Sequence, residues 1–236
     1  MSRILLTFVI IVLMAAPSWA AIAVDQRAIG TAIASGTTLT KAFTNNAASP
    51  MIVACSANQN ISGVTWNGTA MDVIQASLAD GSAFLRTALF GLKSPAVGSF
   101  NIVATFASSV GAANCAMIST TGGDTTTGWR TVYTRTNAAG TGPGTTVVDS
   151  QNGDLVVHAA HVVATTITFD GGEDTTNTED DAIAGGSTSM GLSTQTASGA
   201  NTAIGTTDVA TYAQIGVALI PAGAASRNMM LLGVGQ

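Results

Sequence analysis

Histidine occurs only twice in this chain, at His158 and His161, within the run Leu155-Val-Val-His-Ala-Ala-His-Val-Val163. On a helix a spacing of three would bring both imidazoles to one metal ion. The β-branched surroundings predict a strand instead, where positions an odd number apart point to opposite faces. One imidazole is then expected to point inward or sideways and the other outward, which disfavours a shared metal. Serine and aspartate are plentiful enough for a Ser-His-Asp constellation. Even so, the chain carries no GxSxG elbow, no P-loop and no GxGxxG turn. The expectation is a protein that is not an enzyme, with a secreted hydrolase as the third reading of its function.

The densest polar chemistry lies between Phe169 and Ala182, where Asp170, Glu173, Asp174, Glu179, Asp180 and Asp181 supply 6 of the 13 acidic residues. Ca²⁺ takes six to eight hard oxygens at roughly 2.3–2.6 Å from carboxylates and carbonyls. An irregular extracellular Ca²⁺ site would draw on Asp170, Asp174, Asp180 and Asp181. The EF-hand pattern does not fit, because the sixth position counted from Asp170 is Thr175 rather than glycine. The competing reading is a solvated loop that keeps a charge-poor protein in solution.

Cys55 and Cys115 are the only cysteines. Each sits in an apolar, strand-like run, so they either close one long disulfide loop or lie as two buried thiols. No second Cys or His stands at ligand spacing from either, which argues against zinc.

Short β-branched runs recur about every ten residues, separated by Gly, Asn, Asp and Ser. Thr37–Thr44, Met51–Ala57, Gly63–Trp66, Thr69–Ala76, Ala83–Leu89, Ser99–Ala107 and Asn114–Thr120 read as strands. So do Arg130–Thr136, Thr145–Asp149, Asp154–Ala160, Thr165–Phe169, Ser187–Gln195 and Ala213–Ile220. The sharpest local signal is Val64-Thr-Trp-Asn-Gly-Thr-Ala-Met71. Asn67-Gly68 suits a type I′ turn, which would pair Trp66 with Thr69 and Val64 with Met71. Alternation would then place those four side chains on one core-facing patch. The fold class expected is all-β: a single antiparallel β-sandwich, jelly-roll-like, over residues 21–222, with a C-terminal tail over 223–236.

Composition narrows the class of partner. Of 236 residues, 47% are hydrophobic but only 9% charged and 5% aromatic, with 26 glycines and 34 threonines. A net charge of −5 leaves no basic footprint for nucleic acid. Few aromatics also argue against strong sugar stacking.

Residues 1–20, with Arg3, an apolar stretch Ile4–Ala16, Pro17 and then Ser18-Trp19-Ala20, have the three-part layout of a secretory signal. Cleavage is expected after Ala20, with Ala23 as the second choice. The apolar stretch is shorter than the ~20 residues a bilayer span needs, so no membrane span is expected once the signal is removed.

Four segments taken together resemble a known group. These are the Val64–Met71 hairpin, the strand leading to Pro95-Ala96-Val97-Gly98 and on through Asn101–Phe106, the Gly153–Val157 strand, and a closing strand ending at Pro221-Ala222. The chain resembles a diffuse group of uncharacterised β-sandwich proteins found among secreted bacterial proteins and phage structural proteins. The resemblance runs over about residues 35–222 and implies the sandwich fold. It implies no catalytic residues, and the acidic segment departs from it.

The function expected from these features is an exported, non-enzymatic surface, matrix or ligand-binding module, secreted or on the cell surface. Its partner would be a glycan or a protein, and it could form a homo-oligomer or an assembly. The alternative is a virion or capsid-associated structural protein of a phage.

Overall fold

The computed structural model of the chain describes residues 21–81, 84–137, 144–163, 167–169, 179–183, 188–206 and 211–223. The expected signal segment, the tail from residue 224, and Asp170 and Asp174 lie outside the described residues. The described residues are all-β and contain no helix. Consequently none is long and apolar enough to cross a membrane.

The first half of the chain contributes β1 (Ala23–Ile29), β2 (Thr38–Asn45), β3 (Met51–Ala57), β4 (Ile61–Trp66), β5 (Thr69–Ala70), β6 (Asp72–Ala79), β7 (Arg86–Leu92), β8 (Gly98–Phe106) and β9 (Ala113–Thr121). The second contributes β10 (Tyr133–Asn137), β11 (Gly144–Val148), β12 (Leu155–Val162), β13 (Glu179–Ile183), β14 (Thr188–Thr196), β15 (Thr202–Thr206) and β16 (Tyr212–Leu219). Pairing is antiparallel throughout these strands.

These strands form several stacked antiparallel sheets, consistent with the expected β-sandwich class and arranged in four layers. Two five-stranded sheets, ordered β1-β9-β3-β7-β6 and β10-β16-β12-β14-β13, lie face to face at the centre. The sheet β2-β8-β4-β5 covers the far side of the first, and the ribbon β11-β15 covers the far side of the second. Strand alternation makes this possible. On β3, Met51, Val53, Cys55 and Ala57 pack toward the outer sheet, while Ile52 and Ala54 pack toward the other central sheet. On β12, Leu155, Val157 and Ala159 join that shared central core, and Val156, Ala160 and Val162 face the β11-β15 side. Central strands therefore have no wet face. That is why β3, β12 and β16 read as nearly unbroken apolar runs although their sheets are antiparallel.

The halves repeat one topology. β10, β11, β12, β13, β14, β15 and β16 occupy the places of β1, β2, β3, β6, β7, β8 and β9. Phe169 bridges to Thr206 of β15, where Trp66 of β4 lies opposite Ile102 of β8. A constant shift in residue number carries Asn45 onto Val148, Cys55 onto His158, Trp66 onto Phe169 and Asn67-Gly68 onto Asp170-Gly171.

Cys55 and Cys115 face each other on β3 and β9 and form a disulfide. At the equivalent place His158 of β12 lies opposite Gly216 of β16. A Cβ on Gly216 would come within 2.4 Å of both Ile204 and Val148, so the close approach of the outer ribbon requires glycine there.

The hairpin follows the sequence closely. Trp66 pairs with Thr69, and the Met71 amide donates to the Val64 carbonyl at 2.9 Å. Asn67 (φ 49°) and Gly68 (φ 75°) both take the left-handed conformation of a type I′ turn. Trp66 is fully buried, edge-on to Phe43 and Phe100, and its indole N–H donates to the Ala96 carbonyl at 3.1 Å. Thr69 departs from the expected core patch: it is exposed, because β5 forms the outer edge of its sheet. Substituting Gly68→Val should cost about 1–3 kcal/mol, since a β-branched residue resists positive φ. The added Cβ meets nothing within 4 Å, so conformational strain is the cause being tested. An unchanged denaturation midpoint would refute the turn assignment.

Candidate functional site

The two histidines do lie on opposite faces of β12, but neither reaches solvent, because both faces of that strand are covered. This corrects the expectation that one would point outward. His161 projects into the core shared by the two halves, and His158 into the core under β11-β15.

His161 is the centre of a buried polar chain that crosses from one half to the other. Its Nε2 lies 3.4 Å from Asp80 Oδ2, its Nδ1 meets the Thr87 hydroxyl, and Thr87 Oγ1 lies 2.8 Å from Ser56 Oγ. A carboxylate only accepts, so Nε2 carries the proton and donates to Asp80. The Thr87 hydroxyl links Nδ1 to the Ser56 hydroxyl. Asp80 also accepts from the backbone amides of Phe84 (3.0 Å) and Leu85 (3.3 Å). The order Asp–His–Thr resembles a hydrolase triad, but the side chains of His161 and Asp80 are both 0% exposed. Ser56 and Thr87 are equally closed off. These atoms are closed off from solvent, and the array satisfies polar groups buried between the sheets.

His158 occupies a second sealed cluster. Its Nε2 lies 3.1 Å from Gln214 Oε1, the Gln214 amide donates to the Gly144 carbonyl at 3.2 Å, and Phe169 stands edge-on to the imidazole at 4.9 Å. Among the described residues, no group of three or more His, Cys, Asp or Glu side chains could hold a metal ion. Of the four aspartates proposed for Ca²⁺, Asp170 and Asp174 are outside the described residues. Asp180 and Asp181 are consecutive positions on β13, the edge strand of its sheet, opposite Gly191 and Met190.

A group of polar side chains reaches solvent together on the outer face of β2-β8-β4-β5. Thr38, Thr40, Ala42 and Thr44 alternate outward along β2, opposite Thr105, Val103, Asn101 and Ser99 of β8. Thr65 of β4 continues the row of Val103. Beside the type I′ turn this face dips into an open depression of about 510 Å³, lined by Ala42, Thr65, Asn67, Ser99, Asn101 and Val103 among others. No charged side chain lines it among the described residues. Composition hinted at this surface through its threonine content, but only strand pairing shows which threonines share a face.

No family model matches the chain, and no curated protein does. Among solved structures, the ANXUR2 extracellular domain from Arabidopsis thaliana is similar at 8% identity and a TM-score of 0.25, covering 81% of this chain and 83% of that one. The ANX2 ectodomain from the same plant is similar at 7% identity and a TM-score of 0.24, with the same coverage. At that level the likeness carries no argument about fold or function.

Proposed function

We propose that the protein is an exported, non-enzymatic surface or matrix module that binds a neutral, hydroxyl-rich ligand, a glycan, on the outer face of β2-β8-β4-β5. The observation that carries this reading is a contrast between two environments. The histidine-centred arrays are sealed from solvent, while the open depression is lined by uncharged hydroxyls, amides, small apolar groups and the Phe100 ring. Neutral donors and acceptors over a floor of Ala42 and Val103 suit hydroxyls and C–H faces. Nucleic acid and acidic polymers would need cations, and none lines the depression among the described residues.

Export is supported by the Cys55–Cys115 disulfide, since such bonds persist in oxidising compartments. Ile22 is 4% exposed and belongs to the central core, which favours cleavage after Ala20 over cleavage after Ala23. The exported protein should therefore begin at Ala21 when sequenced from its N-terminus. Recovery of the chain in particles with Met1 in place would replace this reading with the virion one.

The binding reading is tested by electrophoresis through gels containing dextran, mixed-linkage β-glucan or galactomannan, with polygalacturonate as the anionic control. Retardation is expected in at least one neutral gel, none in polygalacturonate, and a marked weakening in Thr65→Val/Asn101→Ala. Migration unaffected by every neutral polymer would sink the proposal.

A further inference from the structure

The topological repeat gives the second half an outer layer of its own, and a neutral depression lies beside it, between the start of β15, the β14–β15 connection and the end of β14. Ile102 of β8 and Thr206 of β15 hold equivalent places, opposite Trp66 and Phe169 respectively. Counting back along each strand, Ser99 at the start of β8 corresponds to Ala203 at the start of β15. Ser99 lines the first depression, and Ala203 lines a second, of about 400 Å³. The second is walled by Gln195, Ser198, Gly199, Asn201 and Thr202, and again no charged side chain lines it among the described residues.

Two features mark the second depression as built rather than incidental. Its loop is held from beneath by buried Ser150, whose hydroxyl donates to the Gly199 carbonyl at 3.0 Å. That hydroxyl also accepts from the Thr202 amide at 3.1 Å and lies 2.7 Å from the Thr202 hydroxyl. In addition, Gln195 Oε1 is buried with no hydrogen-bond partner among the described residues. Turning the Gln195 amide toward the depression would let a ligand hydroxyl satisfy this orphaned acceptor.

We infer that the protein is bivalent, with one neutral-glycan site on each half, and that it bridges separate polysaccharide chains. This rests on the proposed function for the class of ligand. The bridging follows from the layer order. β2-β8-β4-β5 and β11-β15 are the two outermost layers, on opposite sides of the central pair, so three sheet spacings of ~10 Å place them about 30 Å apart. Sites on the two opposite outer sides of the stack engage two strands and hold them together.

The test uses the full mature chain and whichever neutral polymer retards it in gels. Titration calorimetry with a short oligosaccharide of that polymer should give two equivalents per chain. Light scattering of protein mixed with the long polymer should rise, peak and fall again when protein is in excess. Thr65→Val/Asn101→Ala and Ser198→Ala/Asn201→Gly should each keep one equivalent and each abolish the scattering peak. Glycine suits Asn201 because that residue has a φ of 64°. All four changes combined should abolish binding, with circular dichroism and melting temperature reporting an intact fold. One equivalent in the unmodified protein, or a scattering peak that survives in either single-site variant, would overturn bivalency while leaving the binding reading intact. No binding of any neutral polymer would overturn both.

Discussion

Replacing His161 by alanine should lower the stability of the folded chain by about 3–5 kcal/mol, the range for breaking a buried, hydrogen-bonded pair and leaving its partner uncompensated. The loss has three physical parts. Asp80 loses the side-chain N–H that it shares across the two halves, the Thr87 hydroxyl loses its imidazole partner, and a ring-sized void opens in a core closed to solvent. Thr87→Val should cost less, about 1–3 kcal/mol, because it keeps the volume but strands His161 Nδ1 and Ser56 Oγ. The double variant Asp80→Ala/His161→Ala should fall short of the sum of its singles by about 0.5–3 kcal/mol, the usual coupling of contacting residues. Urea denaturation with an unchanged m-value is the measurement. A His161→Ala loss below 1 kcal/mol, or strict additivity in the cycle, would show that this array does not tie the two halves together.

Removing the disulfide as Cys55→Ala/Cys115→Ala should cost a similar amount, about 4 kcal/mol in the chain-entropy account, for a sequence separation of 60. The cysteines stand opposite each other in a ladder that β3 and β9 make with or without them. The covalent bond therefore acts mostly on the unfolded chain, and the variant should keep its strand content while its guanidinium midpoint falls. Both cysteines are fully buried, so a reductant added to the native protein should act slowly, at the rate of unfolding. Rapid reduction under native conditions, or a midpoint that does not move, would contradict the assignment.

Local signals in the sequence proved dependable wherever one residue's backbone preference governs the outcome. Asn67-Gly68 specifies its turn because few other pairs tolerate two consecutive positive φ angles, and the pairings of Trp66 with Thr69 and Val64 with Met71 follow from it. Met51–Ala57 was legible as a strand to its exact ends, being an apolar run bounded by Pro50 and Asn58. Three strands were missed for the same reason in reverse. β1 carries Asp25, Gln26 and Arg27, β13 carries three acids in succession, and β15 is short and contains Gly205. Each becomes a strand because a neighbouring strand supplies hydrogen-bond partners, and no propensity within the segment announces it.

By itself, then, the sequence determined an antiparallel all-β chain, its sharpest turn and the opposition of His158 and His161 across a strand, since period-2 alternation and left-handed turn residues are local properties. Whether a strand's second face meets solvent or another sheet is a matter of stacking, and there the tertiary structure decided. It buried both histidines, paired the cysteines and doubled the sandwich. The repeat was present in Val64-Thr65-Trp66-Asn67-Gly68 and Ile167-Thr168-Phe169-Asp170-Gly171, but chemically similar residues at equivalent places leave little identity to notice. Pairing Phe169 with Thr206 as Trp66 pairs with Ile102 made the correspondence visible, because hydrogen-bond register is retained where side-chain identity is not.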